Sequence, residues 1–182
     1  MLDQKIAFRR FYRAAFFLPS ITSMVVVAIV WQWIYNPDYG LLNYFLSLFG
    51  IKGPKWLLDA NTSLISLAIV GIWKRAGYDM IIFLSGLQGI SNSYYEASML
   101  DGANKWQQFR YITLPMLKPT TFFVFVMAVI SSFQVFDQVM LMTKGGPGRS
   151  SSVLVHYLYQ NAFQYFKLGY ACAIAYLLFF IV

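Results

Sequence analysis

Between Ala14 and Pro37 the chain carries no charged side chain, while Lys5, Arg9, Arg10 and Arg13 stand before this run and Asp38 directly after it. About 20 helical residues cross the ~30 Å hydrocarbon core of a bilayer, so the run is long enough to span one. Trp31, Trp33 and Tyr35 gather at its far end, where interfacial aromatics sit. A secretory signal peptide also joins a basic start to an apolar stretch, but it is shorter and closes on an A-x-A-like site, which this run lacks. Hydrophobic residues make up 59% of the chain and charged ones 12%, against about 45–50% and about 25% in a soluble domain. That excess excludes a disordered chain. One cysteine, Cys172, cannot form an internal disulfide or a multi-thiolate metal site. A net charge of +7 would point to nucleic acid in a soluble protein. Here the basic residues flank apolar runs, which suits lipid headgroups and topology, and no nucleic-acid partner is expected.

Three more apolar runs follow. In Ser63 to Gln88, Lys74, Arg75 and Asp79 interrupt two apolar stretches. Two short helices are one reading. A single tilted or broken span with Gly77 as the break is the other, its costly charges facing a cavity or a partner. Pro119 to Thr143 carries only Asp137. Leu168 to Val182 is apolar to the last residue, but at 1.5 Å per residue it reaches only about 22 Å, so it reads as a span cut short. The expected fold is an all-α membrane protein with spans at about 14–35, 63–88, 119–143 and 168–182. A polar helical segment covers about 90–118, where Ser91 or Ser93 can cap the helix. An amphipathic helix covers about 150–166 and lies at the outer interface, with His156 as an exposed or interfacial polar residue. Placing the N-terminus in the cytoplasm puts Lys5, Arg9, Arg10, Arg13, Lys105, Arg110 and Lys118 inside, and Lys52, Lys55, Lys144, Arg149 and Lys167 outside. The excess of basic residues inside favours that orientation.

The polar segment reads YYEASMLDGANKWQQFRYITLPMLKP. Its residues describe a short helix, a bend at Gly102, a second helix and a stop at Pro115, a hairpin suited to docking on another protein; a plain inter-helix loop is the other reading. Glu96-Ala97-Ser98, three residues, Gly102, nine residues and Ile112-Thr113-Leu114-Pro115 resemble the E-A-A…G…I-x-L-P signature. That signature marks the permease subunits of bacterial ATP-binding cassette importers. Ser98 stands where the pattern has its second alanine. FFLPS (Phe16 to Ser20), WQWIYNPDYG (Trp31 to Gly40), GLQGI (Gly86 to Ile90) and FDQVMLMTKGGPG (Phe136 to Gly148) extend the likeness to the carbohydrate permeases of the maltose and glycerol-3-phosphate transporter type. The likeness covers nearly the whole chain but only part of a family member. It therefore implies a partial type I importer transmembrane domain, with spans expected before Met1 and the rest of the last span after Val182.

The resemblance implies a subunit that translocates a sugar or sugar-like solute. It would pair with a second permease subunit, expected as a heterodimer, two ATPase subunits and an extracytoplasmic solute-binding protein, in the bacterial cell membrane. The chain would bind no cofactor, ATP and Mg being used by the ATPase. Glu96, Ala97, Ser98, Asp101, Gly102, Ile112, Leu114 and Pro115 would form the ATPase-coupling segment. Sugar sites need polar groups that match hydroxyls, and aromatic faces, inside a cavity. Ser20 and Met24 in the first run, Trp73, Lys74, Arg75 and Tyr78 in the second, and Ser131, Ser132, Gln134 and Val135 in the third are the candidates. Ser131 and Val135 share a face if the helix continues. Lys74 and Arg75 suit an acidic ligand or a salt link to Asp79, Asp137 or the partner subunit. No nucleophile-and-base pair, phosphate-cradling glycine loop or metal cluster is visible, so no catalytic or metal residue is expected. The outer turn Gly145 to Gly148 is a candidate contact with the binding protein. An ion-driven secondary transporter, with Lys74, Arg75, Asp79 and Asp137 as its relay, is the alternative within transport; a membrane-embedded enzyme is the alternative from another class.

Overall fold

The fold is that of a computed structural model, which describes residues 8–182; Lys5, counted above among the inner basic residues, lies outside them. In chain order the helices are α1 (Arg9–Ile21), α2 (Met24–Ile34), α3 (Leu41–Leu48), α4 (Ser63–Gln88), α5 (Asn92–Leu100), α6 (Lys105–Gln108), α7 (Leu114–Met116), α8 (Lys118–Phe133), α9 (Asp137–Met142), α10 (Leu154–Tyr159) and α11 (Leu168–Ile181). Among the described residues there is no strand. The chain divides into two compact units. The first takes the described part of Met1–Ile21 with Arg75–Val129, and the second takes Thr22–Lys74 with Ile130–Val182.

In the first unit the expected break at Gly77 is absent, because α4 is continuous from Ser63 to Gln88. Gly77 serves a close approach instead. It is buried, and a Cβ there would collide with the Phe16 carbonyl oxygen and stand 2.8 Å from Ser20 Oγ. Lacking a side chain, it lets the α1 backbone lie directly on α4. Pro115 does not stop its helix either. Between α6 and α7 the residues Phe109–Thr113 form a π-helical turn, in which the Leu114 N–H reaches back to the Phe109 carbonyl. A proline has no N–H, and its ring clashes with the carbonyl four residues before it. The wider π turn accommodates both effects, and the helix resumes through Met116.

The apolar runs are divided more finely than their hydropathy predicts. The run 14–35 is interrupted at Thr22-Ser23, between α1 and α2, and the run 119–143 at Gln134–Phe136, between α8 and α9. No single helix is long and apolar enough to cross a membrane. The pairs Phe11–Ile21 with Met24–Ile34, and Lys105–Met116 with Lys118–Phe133, are long and apolar enough together. Phe122 and Phe125 on α8 and Phe179 and Phe180 on α11 are exposed, with many other large apolar side chains beside them. A water-soluble surface does not keep that much apolar area bare.

The core of the second unit joins Val27, Ala28 and Tyr35 to Leu67 and Val70 of α4 and to Val139 and Met142 of α9. The Gln32 amide Nε2 donates to the Leu141 and Met142 carbonyls at 3.1 and 3.2 Å, fastening α2 to α9. Tyr35 Oη donates to the Ser66 carbonyl at 3.0 Å. Burial of Val139 and Met142 accounts for the end of α8: the chain turns at Gln134–Phe136 so that α9 can present those two side chains to α2. Asp137 then opens α9, where a negative charge meets the positive end of the helix. Near the outer end, His156 is 1% exposed, which corrects its expected position at an exposed or interfacial site. Its Nδ1 lies 3.2 Å from Ser152 Oγ. Gly145, at φ +81°, has no room for a Cβ beside the imidazole, so the glycine turn closes over the ring.

Candidate functional site

Two groups of residues were singled out from the sequence, and each has a distinct physical setting. The coupling candidates all belong to the first unit. Ser91 caps α5, its Oγ accepting from the Ser93 N–H at 3.3 Å. At the other end of α5 the Gly102 N–H donates to the Met99 carbonyl at 3.1 Å, and the Ala103 N–H to the Ser98 carbonyl at 2.9 Å. These two bonds are the Schellman arrangement, which requires the left-handed conformation at the residue after the cap. Gly102 supplies it at φ +80°. Asn104 and Gln107 then form a capping box, at 2.9 and 2.8 Å, that starts α6. The bend at Gly102 is therefore specified by three local signals in sequence: a C-terminal glycine, an N-cap asparagine and its reciprocal glutamine.

The hairpin is braced across its arms. Gln108 Nε2 donates to Ser98 Oγ at 3.0 Å and to the Tyr95 carbonyl at 3.4 Å. Ser98 Oγ itself donates to the Tyr95 carbonyl at 2.8 Å. Tyr95 Oη and Thr113 Oγ1 are 2.9 Å apart. The serine that departs from the alanine of the signature thus holds the second helix. Sequence reasoning missed Gln108, Tyr95 and Thr113, because no linear spacing announces which residues face each other across a bend.

Glu96, Ala97, Asp101 and Gly102 are exposed, Ser98, Ile112 and Pro115 are half-buried, and Leu114 is exposed. The tip is bare and apolar. Leu100 is 90% exposed, Trp106 70% and Tyr111 74%. An apolar tip on an internally hydrogen-bonded hairpin is a helical element shaped to enter a groove on another protein.

The pathway candidates are distributed over both units. In the first, Ser20 stands at the end of α1 beside Gly77, and Tyr78 is exposed. Arg75 Nε donates to Asp79 Oδ2 at 3.0 Å, one turn along α4, and Arg75 Nη1 to the Met127 carbonyl at 3.2 Å. The link to Asp79 is the one, among those considered, that the structure contains. In the second unit, Met24 opens α2. Lys74 Nζ donates to the Thr22 carbonyl at 2.6 Å, at the interruption between the first two helices. Trp73 packs edge-on against Trp31 at 5.5 Å between ring centroids, and Trp31 and Trp56 flank Tyr35 at 5.2 and 5.3 Å. Ser131 is half-buried and Ser132 and Gln134 are exposed. The shared helix face expected for Ser131 and Val135 is not formed, because α8 ends at Phe133 and Val135 packs against the core of the second unit. Trp31 and the Thr22 carbonyl were not anticipated; interruption of an apolar helix leaves no composition signal. Among the described residues no three His, Cys, Asp or Glu side chains gather where they could hold a metal.

Comparison with known proteins adds a further set of findings. A family described as "Binding-protein-dependent transport system inner membrane component" matches residues 3–182. The chain is 42% identical over 167 residues to the probable ABC transporter permease protein YurN of Bacillus subtilis, covering 91% of this chain and 57% of that one. It is 33% identical over 169 residues to the trehalose/maltose transport system permease protein MalF of Thermococcus litoralis, covering 93% and 56%. Its fold is similar to a chain of a bacterial alginate ABC transporter, solved in complex with an alginate pentasaccharide-bound periplasmic protein. The TM-score is 0.86 at 26% identity, over 97% of this chain and 62% of that one. The chain thus spans less than two thirds of the length of each of these relatives.

Proposed function

The chain belongs to the family of binding-protein-dependent transport system inner membrane components, and from that premise we infer that it forms the membrane-spanning permease part of an ATP-driven importer for a sugar or sugar-like solute. The family is a transport component and not an enzyme. The relatives named for trehalose/maltose and for alginate support the carbohydrate class, and the family description supports a membrane location. In this reading the protein crosses a bacterial plasma membrane several times and pairs with a second permease subunit. An extracytoplasmic binding protein delivers the solute, as the periplasmic protein bound to the alginate transporter supports. Two ATPase subunits bind and hydrolyse ATP with Mg.

The observation that carries the proposal is the hairpin Asn92–Met116. Its Schellman turn at Gly102 and its capping box at Asn104 fix the bend, and its tip exposes Leu100, Trp106 and Tyr111. Seated in a cleft of the ATPase, the hairpin follows the cleft when the ATPase pair closes, and α8, joined to it through Leu117, receives the displacement. On the solute side, Trp73 offers an aromatic face. The two interruptions at Thr22-Ser23 and Gln134–Phe136 place irregular backbone within apolar runs, which membrane proteins keep where it lines a cavity or is buried in protein.

Reconstitution of the permease with its ATPase and binding protein in proteoliposomes tests this reading. Solute uptake that requires internal or external ATP and persists when ion gradients are collapsed is expected; uptake driven by an ion gradient without ATP would overturn it. Co-purification supplies the second arm. Gly102→Asp puts a side chain and a charge at a left-handed position of the docking turn and is expected to lose the ATPase, whereas undiminished assembly refutes the docking assignment.

A further inference from the structure

We propose that Gln108 is a positioning residue for ATP coupling: through Ser98 and the Tyr95 carbonyl it locks the two arms of the hairpin into one lever, so that ATPase movement reaches α8 instead of being absorbed by splaying of the arms. The proposal rests on the coupling reading given above.

The two arms meet at few points. α5 is a short helix with no buried residue of its own, and the tip side chains are exposed, so little apolar packing holds it to the second arm. The join between the arms is made by hydrogen bonds. The Gln108 amide donates to the Ser98 hydroxyl, the Ser98 hydroxyl passes its own hydrogen to the Tyr95 carbonyl, and the same amide reaches that carbonyl directly. One turn further along, Tyr95 and Thr113 close the other end of the seam at 2.9 Å. Both Gln108 and Ser98 are half-buried, where such bonds compete less with water than at the surface. Gln108 also stands immediately before the π-helical turn Phe109–Thr113, where the second arm is widest and least regular. A lever is most liable to fold at its irregular segment. A cross-brace placed beside that segment keeps the arm straight under load.

The assembled importer in proteoliposomes provides the assay, with solute transported per ATP hydrolysed as the readout, measured on isolated assembled complexes. Gln108→Met keeps the length of the side chain and removes both donated bonds. It is expected to retain the ATPase subunits and lower the transport-to-hydrolysis ratio about fivefold, the scale set by the loss of one or two net hydrogen bonds. Ser98→Ala removes only the Ser98 links and is expected to lower the ratio about twofold. The double variant is expected to be no worse than Gln108→Met alone, since both changes cut the same seam. A role confined to folding would reduce the yield of complex and leave the ratio unchanged. An unchanged ratio in Gln108→Met overturns the proposal. Should that variant not assemble, an unchanged ratio in Ser98→Ala overturns it instead. Leu100→Asp separates this from the docking reading: Leu100 is 90% exposed, so the charge spares the hairpin fold and is expected to abolish ATPase binding. If Leu100→Asp assembles normally, the coupling reading fails and the lever proposal falls with it. If Leu100→Asp loses the ATPase while Gln108→Met keeps a wild-type ratio, the lever proposal alone is wrong.

Discussion

Replacing Gly102 by alanine, asparagine and valine isolates one physical effect. A Cβ at this position would meet nothing within 4 Å, so no steric term from neighbouring groups enters. The whole cost is conformational. At φ +80° an L-residue pays about 1–2 kcal/mol for the left-handed region. Asparagine pays less, because its short polar side chain tolerates that region, and the β-branched valine pays most. The expected order of destabilisation is therefore Asn, then Ala, then Val. A loss of about 1–2 kcal/mol corresponds to an opening of the turn about 5–30 times more frequent. Amide hydrogen exchange reads this directly. The Ala103 N–H, bound to the Ser98 carbonyl at 2.9 Å, loses protection by that factor, while amides in α11 keep theirs. Affinity for the ATPase, measured on the same variants, falls by a matching factor if the partner merely selects the closed turn. A larger loss of affinity for alanine than of protection would mean that the partner packs against the open side of Gly102. Equal Ala103 protection in the glycine, alanine and valine proteins would refute the reasoning, since the turn would not then depend on the left-handed residue.

The two remaining predictions concern other parts of the chain. Gly77→Ala is expected to destabilise the first unit by about 1–3 kcal/mol, the usual cost of overpacking, because its Cβ strikes the backbone carbonyl of Phe16 and not a side chain that could swing aside; unchanged thermal stability of the purified permease in detergent would contradict this. Burial holds the His156 imidazole below its ordinary range, so the folded chain takes up a proton less readily than the unfolded one. Stability from this residue is complete above the unfolded value of about 6.5 and is lost as the pH falls below it, by at most about 1.4 kcal/mol per pH unit. Thermal melts at pH 7.5 and 5.5 are expected to differ more in the wild type than in His156→Gln, and parallel losses in both proteins would count against it.

The parts of this fold that the sequence made legible are the parts decided locally. Ser91, Gly102 and Asn104 each act through bonds to residues within five positions of themselves, so the hairpin and its bend could be read from residue types alone. Gly77, Pro115 and His156 were misread for the opposite reason. The role of Gly77 depends on the Phe16 carbonyl, sixty residues away in sequence. Pro115 is accommodated by a change of helical register upstream of it. His156 is buried because a glycine turn closes over it, and not because of its own helix. The interruptions at Thr22-Ser23 and Gln134–Phe136 escaped for a related reason. Hydropathy measures how apolar a run is, whereas the position of a break is chosen by what must be packed beyond it, such as Val139 and Met142 against α2. The costly charges of α4 were noticed at once, but their partners were only partly foreseen: Asp79 was named, while the Thr22 and Met127 carbonyls carry no signature, since every residue has a carbonyl.

The π-helical turn at Phe109–Thr113 has a consequence for how this segment can change in length. A helix advances about 100° per residue, so the one additional residue held in the turn sets the angular phase between the Trp106 side of α6 and everything that follows from Leu114 onward. Ordinary connections between helices absorb a gained or lost residue without moving their neighbours. Here a single deletion would return the turn to ordinary α-helical winding, bring the Pro115 ring against the carbonyl preceding it by four, and swing the tip by about 100° about the helix axis. The distance from Gly102 to Pro115 is thus a fixed dimension of the part, as the pitch of a thread is, and substitutions within it are tolerated more readily than any change in its count.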